Sequence, residues 1–138
     1  MRVGFFDSGL GGLSVLNHAL KILPKEKFLY YADVNNVPYG NKSREDILKY
    51  SEEAIDFLVE KGSKAIVIAC NTATSAGAEV IRRKYPDIPI IGIEPAVKPA
   101  ILKYKTDKRI LLLATNATIE GEKLETLINK YDTEHRID

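Results

Sequence analysis

Short apolar runs alternate with helix-like segments along almost the whole chain, and this alternation limits the folds open to it. Strand-like apolar runs occupy residues 3–6, 28–32, 64–69, 90–93 and 109–114. Helical spacing of apolar residues fills the intervals, at residues 13–23, 44–61, 73–84, 95–104 and 118–131. A repeated β–α order predicts a parallel sheet, and right-handed crossovers place helices on both of its faces. The expected fold class is therefore a doubly wound α/β domain.

Local signals mark two helix boundaries and one irregular segment. Ser43, followed three residues later by Asp46, is typical of a helix N-terminus. Gly62 is suited to end the same helix. The residues after Tyr131 are polar and predict no regular element.

Size, charge and cysteine content narrow the function classes. The 138 residues fit one domain of ordinary size, and a formal net charge of +1 gives no reason to expect a nucleic-acid or anionic-membrane partner. No apolar run approaches the roughly 18 residues that cross a bilayer. A single cysteine can form neither an internal disulfide nor, by itself, a zinc site. A reducing cytoplasmic location without a metal centre is the expectation.

Cys70 is the strongest candidate for a reactive group. It follows the apolar run at 64–69 and precedes a helix-like stretch, with Asn71 and Thr72 beside it. Ligands of open α/β sheets bind outside the carboxyl ends of the strands, and a helix N-terminus nearby favours a thiolate. Such a thiolate can act as a nucleophile or as a base. The alternative is an inert buried cysteine, which is common in protein cores.

Three further polar loops are expected at the same edge of the sheet. Asp7 and Ser8 open a glycine-rich turn after the first apolar run, and Pro38-Tyr39-Gly40 lies in the loop after the second. Thr115 and Thr118 follow the fifth run. Backbone N–H groups in such turns can bind a carboxylate. Each loop also has a structural explanation, as a helix cap or a surface turn.

The two histidines argue against one kind of chemistry. A cysteine hydrolase usually places a histidine beside the thiol. His18 falls within the first helical segment and His135 in the polar tail, and neither is an evident partner for Cys70. The residues therefore favour proton transfer over hydrolysis.

Four segments, taken in order, resemble the glutamate racemases of the aspartate/glutamate racemase superfamily. They are residues 4–16, residues 31–33 with 37–42, residues 69–74, and residues 92–95. The resemblance runs from residue 3 to about residue 119. Two positions depart from the family pattern: Ala114 stands where a glycine is usual, and Glu120-Gly121 follows Ile119 without the family's serine.

The resemblance implies racemisation of glutamate without a cofactor, by two cysteines on opposite faces of the substrate. Cys70 corresponds to the first of these cysteines, which serves the D-enantiomer, and Asp7 would assist proton transfer near the substrate amino group. The residues that would hold the substrate are Ser8, Pro38, Tyr39, Gly40, Asn71, Thr72, Thr115 and Thr118. The family makes D-glutamate for peptidoglycan and often forms homodimers.

The family's second cysteine lies in a Gly-Cys-Thr-His segment that does not occur among these 138 residues. The resemblance also implies two α/β domains with the active site between them. Residues 1–98 are then expected to form most of the first domain, and residues 99–138 the opening βα unit of the second. On this interpretation the chain is the N-terminal portion of a racemase and does not racemise alone.

Two other interpretations stay open. One is a stand-alone α/β module that binds a small carboxylate without turnover. The other is a related enzyme, such as an aspartate racemase or a decarboxylase with one cysteine. A Cys70→Ala change should leave binding nearly intact in a module and abolish proton exchange in an enzyme. An unfinished second domain would also expose apolar surface, which favours a homodimer.

Overall fold

The computed structural model describes residues 1–104 and 108–138. Within these residues the strands are β1 (Arg2–Asp7), β2 (Phe28–Ala32), β3 (Ser63–Ile68) and β4 (Ile90–Gly92). The helices are α1 (Leu13–Ile22), α2 (Arg44–Glu60), α3 (Asn71–Lys84), α4 (Val97–Lys103), α5 (Asn116–Ile119) and α6 (Glu122–Tyr131). A short 3-10 turn, Tyr39–Asn41, precedes α2.

The strands form one parallel sheet in the order β2-β1-β3-β4. Phe6 of β1 lies opposite Tyr31 on one side and Ile68 on the other. The chain crosses the sheet in one direction from β1 to β2 and in the opposite direction from β2 through β3 to β4. Right-handed crossovers therefore place α1 on one face and both α2 and α3 on the other. The predicted doubly wound α/β fold is confirmed.

The main core lies between the sheet and the layer formed by α2 and α3. Phe6, Ile66 and Ile68 from the strands pack with Ile55 and Ile81 from the helices, and all five are fully buried. Full burial of one such side chain stabilises the fold by about 1.5–3 kcal/mol. Helix α1 has no fully buried residue, so the face of the sheet that it covers contributes less.

Both helix boundaries predicted for α2 are confirmed. The Ser43 hydroxyl accepts the Asp46 N–H at 3.1 Å, and it donates to the Asp46 carboxylate at 2.8 Å. Gly62 adopts a φ of 78°, the left-handed conformation that ends a helix at lowest cost when the residue is glycine. Helix α3 begins at Asn71, two residues before the predicted start.

The predicted fifth strand is wrong. Within residues 109–114 the pairing is limited to an isolated parallel bridge between Ile110 and Ile137, with one further hydrogen bond from the Leu112 N–H to the Asp138 carbonyl at 2.9 Å, and Leu111 and Leu113 are 72% and 83% exposed. An apolar run becomes a strand only when a neighbouring backbone pairs along it. The polar tail, for which no element was expected, supplies this single bridge.

The helix predicted over residues 118–131 is interrupted. It forms as α5 and α6, because Gly121 takes extended angles (φ −78°, ψ 129°) and serves as the N-cap of α6. A small apolar cluster forms between α4 and α6, around the buried side chains of Val97, Ile101 and Leu124. In the part of the chain described, no helix has both the length and the apolar character needed to cross a membrane.

Candidate active site

Adjacent strands β1 and β3 end side by side, and this brings two of the predicted site segments together. The Ala69 N–H donates to the Phe6 carbonyl at 2.7 Å, so the backbone ladder continues to the residue before Cys70. Just beyond it, Ser8 Oγ lies 3.5 Å from Cys70 Sγ. The sheet therefore positions a hydroxyl group against the thiol.

Cys70 is also the N-cap residue of helix α3. Its Sγ accepts the Ala73 N–H at 3.4 Å, as the side chain of an N-cap residue does. The sulfur thus faces a backbone donor and the positive end of the helix dipole, and both stabilise a negative charge there. The residue is 7% exposed, so it is nearly but not completely shielded from solvent. The thiol therefore lies at the carboxyl end of the sheet, where ligands of open α/β folds bind.

The Asp7 carboxylate lies inside the turn that it opens. Its Oδ2 accepts the Gly12 N–H at 2.9 Å, and the Tyr30 hydroxyl lies 3.4 Å from the same oxygen. Tyr30 also donates to the Gly9 carbonyl at 3.0 Å. Asp7 therefore closes the turn that leads into α1, within the segment that carries Ser8. It does not cap the helix, because the N-cap residue is Gly12 and no side-chain hydrogen bond caps α1.

Tyr30 was not identified from the sequence. Burial, followed by the negative charge of Asp7, raises the pKa of its phenol to about 12. The phenol is therefore a hydrogen-bond donor at neutral pH and is not a base. Tyr30 is the middle residue of β2 and pairs with Phe5, two residues before Asp7, a register that the sequence alone does not reveal.

Asp33 was also missed, and it determines where Tyr39 points. The Tyr39 side chain is buried, and its hydroxyl donates to Asp33 Oδ2 at 2.7 Å. Asn36 donates to both oxygens of the same carboxylate at 3.0 Å. Burial and the Asp33 hydrogen bond raise the pKa of Tyr39 above its usual range. Tyr39 thus fixes its turn from the buried side. Its neighbours Pro38 and Gly40 are exposed and half-buried, so the backbone of the turn is accessible from outside.

A chain of three hydroxyl groups joins the N-terminus of α3 to α5. Thr72 Oγ1 lies 3.0 Å from Thr115 Oγ1, which lies 3.1 Å from Thr118 Oγ1. Gly40 packs against the same threonine, because a Cβ at Gly40 would come within 2.7 Å of Thr115 Cγ2. Three predicted substrate-binding segments therefore meet at Thr115.

The remaining predicted residues are peripheral. Asn71 is the first residue of α3 and is exposed beside Cys70. His18 and His135 are both exposed, the latter with a φ of 51°. Among residues 1–104 and 108–138, no group of three or more His, Cys, Asp or Glu side chains could hold a metal ion.

A cavity of about 910 Å³ lies between the N-terminal ends of α2 and α6 and the middle of α3. Gly40 and Asn116 contribute to its lining, whereas Asp7, Ser8 and Cys70 do not. The candidate site is therefore identified by the convergence of polar groups on the thiol and not by the size of a cavity.

The fold is a parallel α/β domain, and Cys70, the candidate for a ligand site, lies at the carboxyl end of its sheet. A sequence profile described as Asp/Glu/Hydantoin racemase matches residues 12–138. The chain belongs to this racemase family.

Glutamate racemases are prominent among its relatives. The chain is 56% identical to the glutamate racemase of Campylobacter curvus over 143 aligned residues, which cover 100% of this chain and 53% of that protein. The structure of Escherichia coli glutamate racemase in complex with L-glutamate and the activator UDP-MurNAc-Ala matches with a TM-score of 0.89, at 32% identity, over 99% of this chain and 52% of that one. The Aquifex pyrophilus glutamate racemase matches with a TM-score of 0.87, at 35% identity, over 100% of this chain and 54% of that one. The chain thus spans about half the length of these relatives.

Proposed function

We propose that this chain carries the Cys70 half of a glutamate racemase site and exchanges the α-proton of glutamate without a cofactor. The observation that carries the proposal is the setting of Cys70, which receives the Ala73 N–H at 3.4 Å and lies 3.5 Å from Ser8 Oγ. Identity of 56% to a glutamate racemase over the whole chain supports glutamate as the substrate.

The proposed reaction is a proton transfer on one face of the substrate. The Cys70 thiolate takes the α-proton of D-glutamate and becomes a thiol, and the electron pair of the broken C–H bond moves onto the substrate carboxylate as a carbanion-like species. Hydrogen bonds to that carboxylate stabilise the transition state. Thr72, Thr115 and Thr118, with the backbone of Pro38 and Gly40, are the groups we assign to hold the substrate. Ser8 and Asn71 complete the set, Tyr39 supports the Pro38–Gly40 backbone through its hydrogen bond to Asp33, and Asp7 assists proton transfer at the substrate amino group.

Inversion of the α-carbon needs a proton donor on the opposite face. Cys70 is the only cysteine in the sequence, so we assign to this chain one face of the reaction. We further propose that residues 1–98 belong to a first racemase domain and residues 99–138 begin a second. On this basis the chain replaces the α-proton of D-glutamate by a proton from solvent, which is added to the same face, so the configuration is retained.

The wider setting follows from the same relatives. The E. coli structure contains L-glutamate and an activator that is a UDP-MurNAc derivative, which supports a role in supplying D-glutamate for peptidoglycan in the cytoplasm. We also propose a homodimer, since Leu20 and Ile22 of α1 are exposed. A monomeric sedimentation profile at high concentration would contradict the dimer.

The test is to incubate the chain with D-glutamate in D₂O and to follow the α-proton signal by NMR. We expect the signal to decay without formation of L-glutamate. Cys70→Ser keeps an oxygen that can accept the Ala73 N–H but removes the thiol, so exchange should stop while the fold and glutamate binding persist. Thr126→Ala, an exposed change on α6, is the matched control.

Each other outcome has a defined meaning. Binding of glutamate without exchange in the unchanged chain would favour the carboxylate-binding module. If Cys70→Ser still exchanges the α-proton, Cys70 is not the group that transfers it. Accumulation of L-glutamate would refute the assignment of a single face to this chain.

A further inference from the structure

Tyr30 reaches across from β2 to the turn that follows β1. Its hydroxyl lies 3.0 Å from the Gly9 carbonyl oxygen and 3.4 Å from Asp7 Oδ2. A phenol has one proton to donate, so these two acceptors share it. One side chain outside the turn therefore contacts both the carboxylate that opens the turn and the backbone at its middle.

The turn has little room to move at this point. Asp7 Oδ2 also accepts the Gly12 N–H at 2.9 Å, which closes the turn from within. A Cβ at Gly12 would lie 2.8 Å from the Ala69 Cβ, 2.9 Å from the Asp7 Cβ and 3.0 Å from the Tyr30 hydroxyl oxygen. The tyrosine hydroxyl is therefore packed directly against the closed turn.

We propose that Tyr30 is a positioning residue of the Cys70 site, whose hydroxyl holds the Asp7 carboxylate and the 7–12 turn in the arrangement that brings Ser8 to the thiol. The effect on proton transfer rests on the function proposed above, whereas the effect on the turn can be measured without turnover.

The electrostatics agree with a donor role. Burial and the charge of Asp7 raise the pKa of Tyr30 to about 12, so the O–H proton is retained at neutral pH. The next residue provides a contrast, because Tyr31 points to the opposite face of β2. Its ring packs against Phe6 and Phe57, with centroids 6.4 and 5.4 Å away. Tyr31→Phe is therefore a matched control that removes a hydroxyl from the same strand.

The first test uses the Gly12 amide as a reporter, because its N–H donates to the carboxylate that Tyr30 holds. In Tyr30→Phe we expect hydrogen exchange of the Gly12 amide to become about tenfold faster, the scale of one lost hydrogen bond, while amides of the central strands keep their rates. Tyr31→Phe should leave Gly12 unchanged. A Gly12 exchange rate within about twofold of the unchanged chain would overturn the proposal.

A second measurement needs no variant and covers the case in which Tyr30→Phe does not fold. Nuclear Overhauser contacts in the unchanged chain should join the Tyr30 ring to the Gly12 amide, because the Tyr30 hydroxyl and this N–H contact the same Asp7 oxygen. The Tyr31 ring is the internal control, because it packs against Phe6 and Phe57 on the opposite face and should show no contact with Gly12. Absence of the contact between Tyr30 and Gly12 would refute the positioning role.

The third measurement concerns catalysis. It separates the positioning role of Tyr30 from the proposed proton exchange at Cys70, on which that role's catalytic effect rests. For α-proton exchange of D-glutamate, Tyr30→Phe should lower the maximal rate about tenfold and change the half-saturating concentration less than about twofold. Loss of Gly12 protection together with no exchange in the unchanged chain would refute the proposed function and leave the positioning role supported. Exchange in the unchanged chain with an unaltered maximal rate in Tyr30→Phe would overturn the catalytic consequence of positioning.

Discussion

Thr72 and Thr115 are 43 residues apart in sequence, yet their Oγ1 atoms lie 3.0 Å apart. Thr72 belongs to the first turn of α3, and Thr115 is the N-cap position of α5. A hydrogen bond between these hydroxyl groups thus joins the part of the chain that carries Cys70 to the part that follows α4.

Thr115→Val should separate binding from stability. Valine keeps the shape and the methyl group that packs against Gly40, but it removes the hydroxyl that contacts Thr72 and Thr118. We expect the affinity for D-glutamate, measured by NMR titration, to fall about tenfold, the scale of one lost hydrogen bond. Thr126→Val, at an exposed position of α6, should have no effect on binding. Equal affinities for the two variants would argue against a ligand contact at Thr115.

Gly40→Ala should disturb the contact between the Tyr39–Asn41 turn and Thr115. Its Cβ would lie 2.7 Å from Thr115 Cγ2 and 2.9 Å from Thr115 Cβ, so the two segments must move apart. Overpacking of this kind costs about 1–3 kcal/mol of unfolding free energy, measurable by urea denaturation, and glutamate binding should weaken as well.

The control for this variant is Gly62→Ala. Gly62 has a φ of 78° and no atom within 4 Å of its would-be Cβ, so alanine there costs about 1–2 kcal/mol through backbone strain alone. Glutamate binding should be unchanged. If both variants bind glutamate like the original chain, the fit of Gly40 against Thr115 has no functional role.

The ion pair between α2 and α3 should make stability depend on pH. Lys84 Nζ lies 2.8 and 3.0 Å from the two Asp56 oxygens, and Tyr85 also donates to this carboxylate. Partial burial alone would raise the pKa of Asp56, but the hydrogen bonds from Lys84 and Tyr85 outweigh it and lower the pKa. A lowered folded-state pKa stabilises the fold above the unfolded value of about 3.9, and the contribution is lost as the pH falls through the folded value.

Asp56→Asn should therefore lower the free energy of unfolding at pH 7 and have a smaller effect at pH 3, below the unfolded-state pKa of about 3.9. The side chains of Lys84 and Asp56 are 38% and 41% exposed, so solvent screening limits the loss to about 1 kcal/mol or less. Urea denaturation at the two pH values measures it, with Glu60→Gln on the same helix as control. A difference of equal size at both pH values would show that the carboxylate charge is not the cause.

Asp132 should control the pairing of the C-terminal segment. Its two carboxylate oxygens accept the N–H groups of Arg136 and Ile137, each at 2.9 Å, and the Ile110 N–H donates to the Arg136 carbonyl at 2.8 Å. Asp132→Ala leaves two backbone donors unpaired, at a cost of about 1–3 kcal/mol. Hydrogen exchange of the Ile110 and Leu112 amides should accelerate at least about tenfold, and unchanged rates would mean that the bridge forms without Asp132.

Four of the predicted strands form, and each of them pairs with a neighbouring strand in the sheet. Residues 109–114 have the same apolar character as the paired runs, yet only Ile110 is bridged. Whether such a run becomes a strand depends on a partner backbone, which local composition does not encode. Gly121, by contrast, was a readable signal for the break between α5 and α6, because glycine is unfavourable inside a helix.

The candidate site was predictable to a similar extent. Asp7, Ser8 and Cys70 could be identified because each follows a strand pattern at the carboxyl edge of the predicted sheet. Tyr30 and Asp33 could not, because their roles come from hydrogen bonds between β2, its following loop and other segments. Tyr39 was predicted as a binding residue, but its hydroxyl is committed to Asp33, a relationship that no spacing rule reveals.

Strand pairing extends to the border of the site on both sides of β1. The Asp33 N–H donates to the Asp7 carbonyl at 3.0 Å, and the Ala69 N–H donates to the Phe6 carbonyl at 2.7 Å. The backbone hydrogen bonds of the sheet thus determine the distance between the Asp7 turn and Cys70. Substitutions on the outer surfaces of α2 or α3 can accumulate without altering that spacing. A shift of one residue in the register between β1 and β3, by contrast, would separate the Ser8 hydroxyl from the Cys70 sulfur although no side chain had changed.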